Sequence, residues 1–274
     1  MATLEDLNLV KLPTLQQDLI LSLDQGGHSS RAIVYNQLGD IVAMAKYSLN
    51  VDRPQDNWVQ QDGPDIVQSM REVIKDVYLQ LGPKASLIRT AGLATQRSNT
   101  MCWDIKTGKA LSKAISWQDT RSYADLTEYE PYTDLIRQRT GLHVTAHYGA
   151  TKLRWCMQNI PEVQQAIEQK RLAWGPLASY LIYSLTSEQL HLIDPANASR
   201  TLLMSLDTLD WDQDLLSCFQ VPRQPLPRCV ASNYLYGHIS VASPPVALNI
   251  VTGDQSAAMF AFGKPRPKTL YINV

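Results

Sequence analysis

The tripeptide Gly253-Asp254-Gln255 follows the apolar run Ala247-Leu248-Asn249-Ile250-Val251, which sets a carboxylate where a strand hands over to a helix. Near the other end, Asp24-Gln25-Gly26-Gly27-His28-Ser29-Ser30-Arg31 is a glycine-rich turn after a buried strand. A carboxylate such as Asp254 can take the proton of a hydroxyl whose oxygen attacks phosphorus, and a glycine turn lets backbone N–H groups approach an anion. Ser29 and Ser30 add hydroxyl donors, Arg31 adds positive charge for phosphate, and Asp24 can orient a hydrated magnesium ion. Each feature also has a plainer reading. Asp254 suits a helix N-cap, and Gly26 with Gly27 suits a tight hairpin. The turn lacks the lysine of a P-loop and does not spell G-x-G-x-x-G.

Two further segments put polar groups where a ligand could meet them. Thr95-Gln96-Arg97 follows a strand ending in Ala91-Gly92-Leu93-Ala94, at a sheet edge where Arg97 can donate to substrate hydroxyls; the alternative is an ordinary surface arginine. Trp117-Gln118-Asp119 offers an aromatic wall beside polar groups, or else a core tryptophan. His143, His147 and His191 have no ligand-like spacing, so no transition metal is expected.

The elements that must position these groups alternate between strand and helix. Strands are expected at 18–23, 31–35 and 41–47 as an antiparallel meander, with Asn36-Gln37-Leu38-Gly39-Asp40 as a hairpin turn. A helix capped by Asp62 carries Ile66, Met70, Val73, Ile74, Val77 and Leu81 on one face and stops at Gly82. Strands follow at 87–93 and 100–103, then helices at 120–129, 132–140, 150–159, 162–170 and 177–185. Asp210 is expected to cap a short helix burying Leu215, Leu216 and Phe219. Strands at 234–241 and 247–251, a helix at 255–262 and a strand at 268–274 complete an α/β chain with a mixed sheet. Ending on a strand suggests that the natural sequence continues beyond Val274.

Composition excludes several classes of function. The 274 residues are 45% hydrophobic and 19% charged with a formal net charge of -1, which gives no electrostatic reason to expect nucleic acid or an anionic membrane as partner. No apolar run reaches membrane-spanning length, and residues 1–17 read as a tail or a short extra element, with acidic residues and no long apolar segment to make a secretory signal, so cytoplasm is the expectation. Cys102, Cys156, Cys218 and Cys229 form no C-x-x-C pair and read as reduced, packed cysteines.

Taken in order, several segments resemble the N-terminal domain of the FGGY carbohydrate kinases, with the glycerol kinases nearest. They include Leu23-Asp24-Gln25-Gly26 with Ser29-Ser30-Arg31, Thr95-Gln96-Arg97, Ser116-Trp117-Gln118-Asp119, Asp194-Pro195-Ala196-Asn197-Ala198-Ser199-Arg200-Thr201 and Gly253-Asp254-Gln255-Ser256-Ala257-Ala258. The resemblance implies a ribonuclease H-like, actin-like fold over 18–274 and transfer of a phosphoryl group from ATP, with Mg2+, to a sugar or polyol hydroxyl. It implies Asp254 as general base, Arg97 and Gln255 as substrate contacts and Trp117 as a pocket wall. Asp24 falls at the metal-associated aspartate and Gly26, Gly27, His28, Ser29 and Arg31 at the phosphate end. It further implies that a second, nucleotide-binding domain lies outside this chain, that 1–274 alone is inactive, and that a homo-oligomer is compatible with the family.

The departures bear on substrate. The glutamate that glycerol kinases place after Gln-Arg is Ser98, and their glycerol-contacting tyrosine falls at His147. Two threonines of their phosphate loop are Gly27 and His28. A degenerate homologue that binds a polyol without transferring phosphate is the alternative reading.

Overall fold

The computed structural model describes residues 18–241, 243–261 and 263–272; the tail expected over 1–17 lies outside them. Strands β1 (Leu19–Gln25), β2 (Ser29–Tyr35) and β3 (Ile41–Ser48) form the expected antiparallel meander. Alternation sets their faces: Leu19, Leu21 and Leu23 are buried, as are Ala32 and Val34. After the short β4 (Gln60–Gln61), helix α1 (Gly63–Leu81) starts where Asp62 accepts the Asp65 N–H at 3.2 Å. It ends at Gly82, whose φ of 55° suits glycine. All six apolar residues of its expected inner face are buried, and the helix packs on β2 and β3.

β5 (Ile88–Thr95) then returns to lie parallel to β1. β6 (Thr100–Asp104), β7 (Ala114–Ile115) and β8 (Leu172–Pro176) join β4 in a second sheet of order β4-β7-β6-β8, which the sequence pattern does not announce. Residues 120–129 are not an α-helix. Tyr123–Tyr132 is a 3-10 turn containing Pro131, which has no N–H to donate to an α-helical ladder, and α2 starts only at Thr133 (Thr133–Thr140).

Helices α3 (Gly149–Asn159), α4 (Pro161–Glu168) and α5 (Leu177–Leu185) come after it. β9 (Leu192–Ile193), α6 (Pro195–Ala198), α7 (Gln213–Cys218) and β10 (Arg228–Cys229) come next. The cap of α7 is Asp212, which accepts from Asp214 and Leu215; Asp210 instead accepts the Trp211 N–H, so the cap lies two residues later than expected. β11 (His238–Ile239) and β12 (Val246–Gly253) close the main sheet in the order β11-β12-β5-β1-β2-β3. The strand expected at 234–241 shrinks to β11 because Gly237, with φ of 120°, turns the backbone out of extended geometry just before it. α8 (Asp254–Ala258) ends before the expected 262. Residues 268–272 are irregular, because no neighbouring strand pairs with them among the described residues; the last two residues of the strand expected there, 273 and 274, lie outside the described set. All four cysteines are free.

Candidate active site

The parallel pairing of β1, β5 and β12 places Gln25, Thr95 and Gly253 in one row at the carboxyl ends of three adjacent strands. The segments leaving these strands therefore emerge at one edge: the glycine turn, Gln96-Arg97, and Asp254-Gln255. This is where an open α/β sheet offers a crevice to a ligand. A cavity of about 180 Å³ opens there, lined by Arg97, Ser98, Trp117, His147, Arg200, Asp254 and Gln255. Asp24 lies at the same edge, paired in register with Ala94, and its charge helps raise the Asp254 pKa. A larger groove of about 890 Å³ lies elsewhere, between α1, the 107–113 turn and α5.

Asp254 is the first residue of α8, while Gly253 holds the cap position, so Asp254 is not the N-cap. Its Oδ1 accepts the Gln255 N–H at 2.6 Å, and burial pushes its carboxyl pKa up against that bond and the Arg97 charge. Arg97 Nε stands 3.9 Å from Asp254 Oδ1, and the Arg97 guanidinium donates to the Gln255 side-chain carbonyl. Trp117 is 43% exposed, which removes the core reading of that residue. Its N–H is held at 2.7 Å by Asn99 Oδ1, and its ring stands 5.9 Å from the His147 ring.

The glycine turn is a hairpin, but its shape does not require glycine. Neither Gly26 nor Gly27 has positive φ, and a β-carbon on either would meet only ordinary contacts near 3.5 Å. Arg31 on β2 pairs with Asp24 at 2.5 Å. Beneath the turn lies a run of glutamines: Gln96 Nε2 donates to Gln25 Oε1 at 3.3 Å and to Gln61 Oε1 at 3.0 Å, and Gln61 Nε2 donates to the Gly27 carbonyl at 3.0 Å.

The profile of the FGGY family of carbohydrate kinases, N-terminal domain, matches residues 19–261. This chain belongs to that family. Glycerol kinase from Burkholderia pseudomallei is 35% identical over 250 residues, which cover 90% of this chain and 50% of that protein. The structure of Plasmodium falciparum glycerol kinase with ADP superposes with a TM-score of 0.81 at 27% identity, over 89% of this chain and 50% of that one. Xylulose kinase from Rhodospirillum rubrum shares the fold, with a TM-score of 0.82 at 19% identity over 91% of this chain and 51% of that one. The FGGY chain thus spans about half the length of the curated relatives it matches. Its mixed sheet flanked by helices is the actin-like, ribonuclease H-like fold. No described helix is long and apolar enough to cross a membrane.

Two residues at this edge carry no role that the sequence alone assigns. Lys152, fully buried on α3, donates to the main-chain carbonyls of Ser98 at 3.0 Å and His147 at 2.7 Å, tying together the two segments that depart from the glycerol kinase pattern. Burial lowers its pKa to about 7. A signal exists in the sequence: Lys152 interrupts the apolar face made by Ala150, Leu153 and Cys156. Arg200 reaches the cavity from the loop after α6, with Nη2 3.5 Å from His147 Nε2 and its guanidinium 4.7 Å from the Tyr148 ring centre. Asp194 caps α6 and holds Asn197, which meets Thr95 Oγ1 at 3.3 Å, so the loop carrying Arg200 is fastened to the end of β5. Burial, with the Lys152, Arg200 and Arg97 charges, lowers the His147 pKa to about 4, so the imidazole is neutral near pH 7.

Proposed function

We propose that this chain is the substrate-binding part of an ATP-dependent kinase acting on a sugar or polyol hydroxyl. The observation that carries the reading is the shared edge: Asp254, Arg97, Gln255 and Trp117 line one cavity, and Asp24 and the glycine turn lie beside it. Family membership and two glycerol kinase relatives supply the reaction class.

In this reading Asp254 accepts the proton of the attacking hydroxyl. Its raised pKa makes it a stronger base than an exposed aspartate. Arg97 and Gln255 hold neighbouring hydroxyls, and Trp117 covers the carbon skeleton. Gly26, Gly27, His28, Ser29 and Arg31 receive the phosphate end, where no side chain stands in the way at Gly26 and Gly27, although the Gly26 N–H itself donates to the Ser29 carbonyl at 2.9 Å. ATP supplies the phosphoryl group, and Mg2+ neutralises charge on its phosphates. The donor set fits that ion. No group of three metal-ligating side chains occurs among the described residues, and Mg2+ is ordinarily held by one or two carboxylates with waters and phosphate oxygens. Asp24, whose carboxylate pairs with Arg31 here, would hold it. The rest of the phosphate clamp would come from the part of the relatives that this chain does not span, so 1–274 alone would transfer little or no phosphate.

The departures at Gly27, His28 and Ser98 favour a second reading, a polyol-binding homologue without phosphoryl transfer. Steady-state kinetics on the intact gene product decide between them. Asp254→Asn should lower turnover by about 10²–10⁴-fold with little change in substrate affinity. Full turnover in that variant removes Asp254 as base; absence of turnover in the unaltered protein favours the binding homologue.

A further inference from the structure

The charged groups lining the cavity are two arginines and one carboxylate. Arg97 Nε is 3.9 Å from Asp254, whereas Arg200 has no ion-pair partner among the described residues. Arg200 rests on a neutral imidazole and an aromatic face, neither of which is an anion. Its Nε is buried without a hydrogen-bond partner. Ser98, only 2% exposed on the same wall, likewise has a hydroxyl with no partner. Buried donors left unpaired are costly. Arg139 and Arg171 also have an unpaired buried Nε, but each has a carboxylate partner; Arg200 differs in lining the cavity with no carboxylate of its own.

No carboxylate other than Asp254 lines the cavity. Trp117 and Gln255 are uncharged, and the Lys152 ammonium behind the wall adds positive charge rather than balancing it. Asp194, Asn197 and Thr95 fasten the segment that carries Arg200 to the sheet. The cavity therefore carries an excess of positive charge, with Arg200 beside His147 and Tyr148.

We propose that the cavity takes a polyol or sugar bearing a carboxylate, with the carboxylate on Arg200 and Ser98 and a hydroxyl at Asp254. The inference deepens the kinase reading and rests on it for treating the cavity as the acceptor site. A carboxylate supplies the flat, two-oxygen acceptor that a guanidinium fork matches, and it neutralises the second arginine. A neutral polyol leaves the Arg200 charge without a counter-charge.

Calorimetric titration of the chain without nucleotide tests this, using matched pairs: glycerol against glycerate, xylitol against xylonate, glucitol against gluconate. In at least one pair the acid should bind about tenfold or more tighter than its neutral partner. Added salt should erode the preference, Arg200→Gln should abolish it, and Ser98→Glu, which places a fixed carboxylate in the wall, should shift it toward the neutral member. Melting curves show whether the variants fold; if Arg200→Gln does not, the pairs on the unaltered chain and Ser98→Glu still decide. Equal or tighter binding of the neutral member in every pair overturns the proposal, as does binding of no member or a preference that survives in folded Arg200→Gln. ATP turnover by the intact gene product is read separately. Acid preference without phosphate transfer sinks the kinase reading and leaves this inference standing. Transfer to neutral polyols with no acid preference does the reverse.

Discussion

Arg97 lies across the α-carbon of Gly253 so closely that a β-carbon there would stand 2.5 Å from Arg97 Cγ. The glycine at the end of β12 is thus demanded by the approach of a neighbouring side chain, not by its φ of -75°. Gly253→Ala should displace Arg97 from Gln255 and Asp254. The expected cost is about 1–3 kcal/mol of stability, typical of overpacking, together with weaker ligand binding. Melting curves and calorimetric titration check both, and an unchanged binding constant would show that Arg97 does not hold the ligand.

Trp117 is exposed at the cavity mouth, so its removal should separate binding from folding. Trp117→Ala should change stability by less than about 1 kcal/mol, as surface substitutions generally do. Ligand affinity should fall by about tenfold, since an aromatic wall over the carbon skeleton is lost. A large drop in melting temperature with intact affinity would assign Trp117 to structure instead.

Lys152 sets a pH dependence of stability. Its folded pKa is lowered from 10.5 to about 7, mainly by desolvation, so between those values the unfolded chain binds a proton that the folded chain does not. Stability from this group is fully present above pH 10.5 and is lost as pH falls through about 7. Denaturant titrations across that window should show unfolding free energy rising with pH. Lys152→Met should flatten the rise, and it should leave the carbonyls of Ser98 and His147 unpaired, at about 1–3 kcal/mol for a buried acceptor. An identical slope in the variant would exclude Lys152 as the titrating group.

His147 acts over a lower window. Its folded pKa is lowered from 6.5 to about 4, by burial first and then by the Lys152, Arg200 and Arg97 charges around it. Its contribution is present above pH 6.5 and is lost as pH falls through about 4. His191, buried with a value also near 4, pulls in the same direction. His147→Gln should therefore remove part of the acid destabilisation and leave the remainder to His191. Thermal melts of both proteins across this window measure the difference.

The meander, α1 and the strand preceding Asp254 are legible in the sequence because each carries a complete local signal: period-two burial in Leu19, Leu21 and Leu23, a one-sided helix with a cap, and an apolar run with polar groups after it. The row formed by Gln25, Thr95 and Gly253 results from parallel pairing, and it brings most of the site residues together. The second sheet is not legible because β4 and β7 are two residues long and owe their geometry to partners far along the chain. Residues 120–129 lack a one-sided apolar face, since Tyr129 alone is buried in the 3-10 turn Tyr123–Tyr132, so nothing there anchors an α-helix. Arg200 lies in a stretch that resembles the family without any local feature marking it as a pocket residue; only the fold, through Asp194, Asn197 and Thr95, brings it to the cavity.

The glutamines beneath the hairpin turn, Gln25, Gln96 and Gln61, are joined to one another and to Gly27 wholly through amides, which neither gain nor lose protons. The opposite wall hangs on the Lys152 ammonium, which titrates near neutrality. The two ends of the site are therefore governed by different solution variables. A change of acidity acts on the wall that carries Ser98 and His147 and leaves the glutamine run beneath the turn as it is.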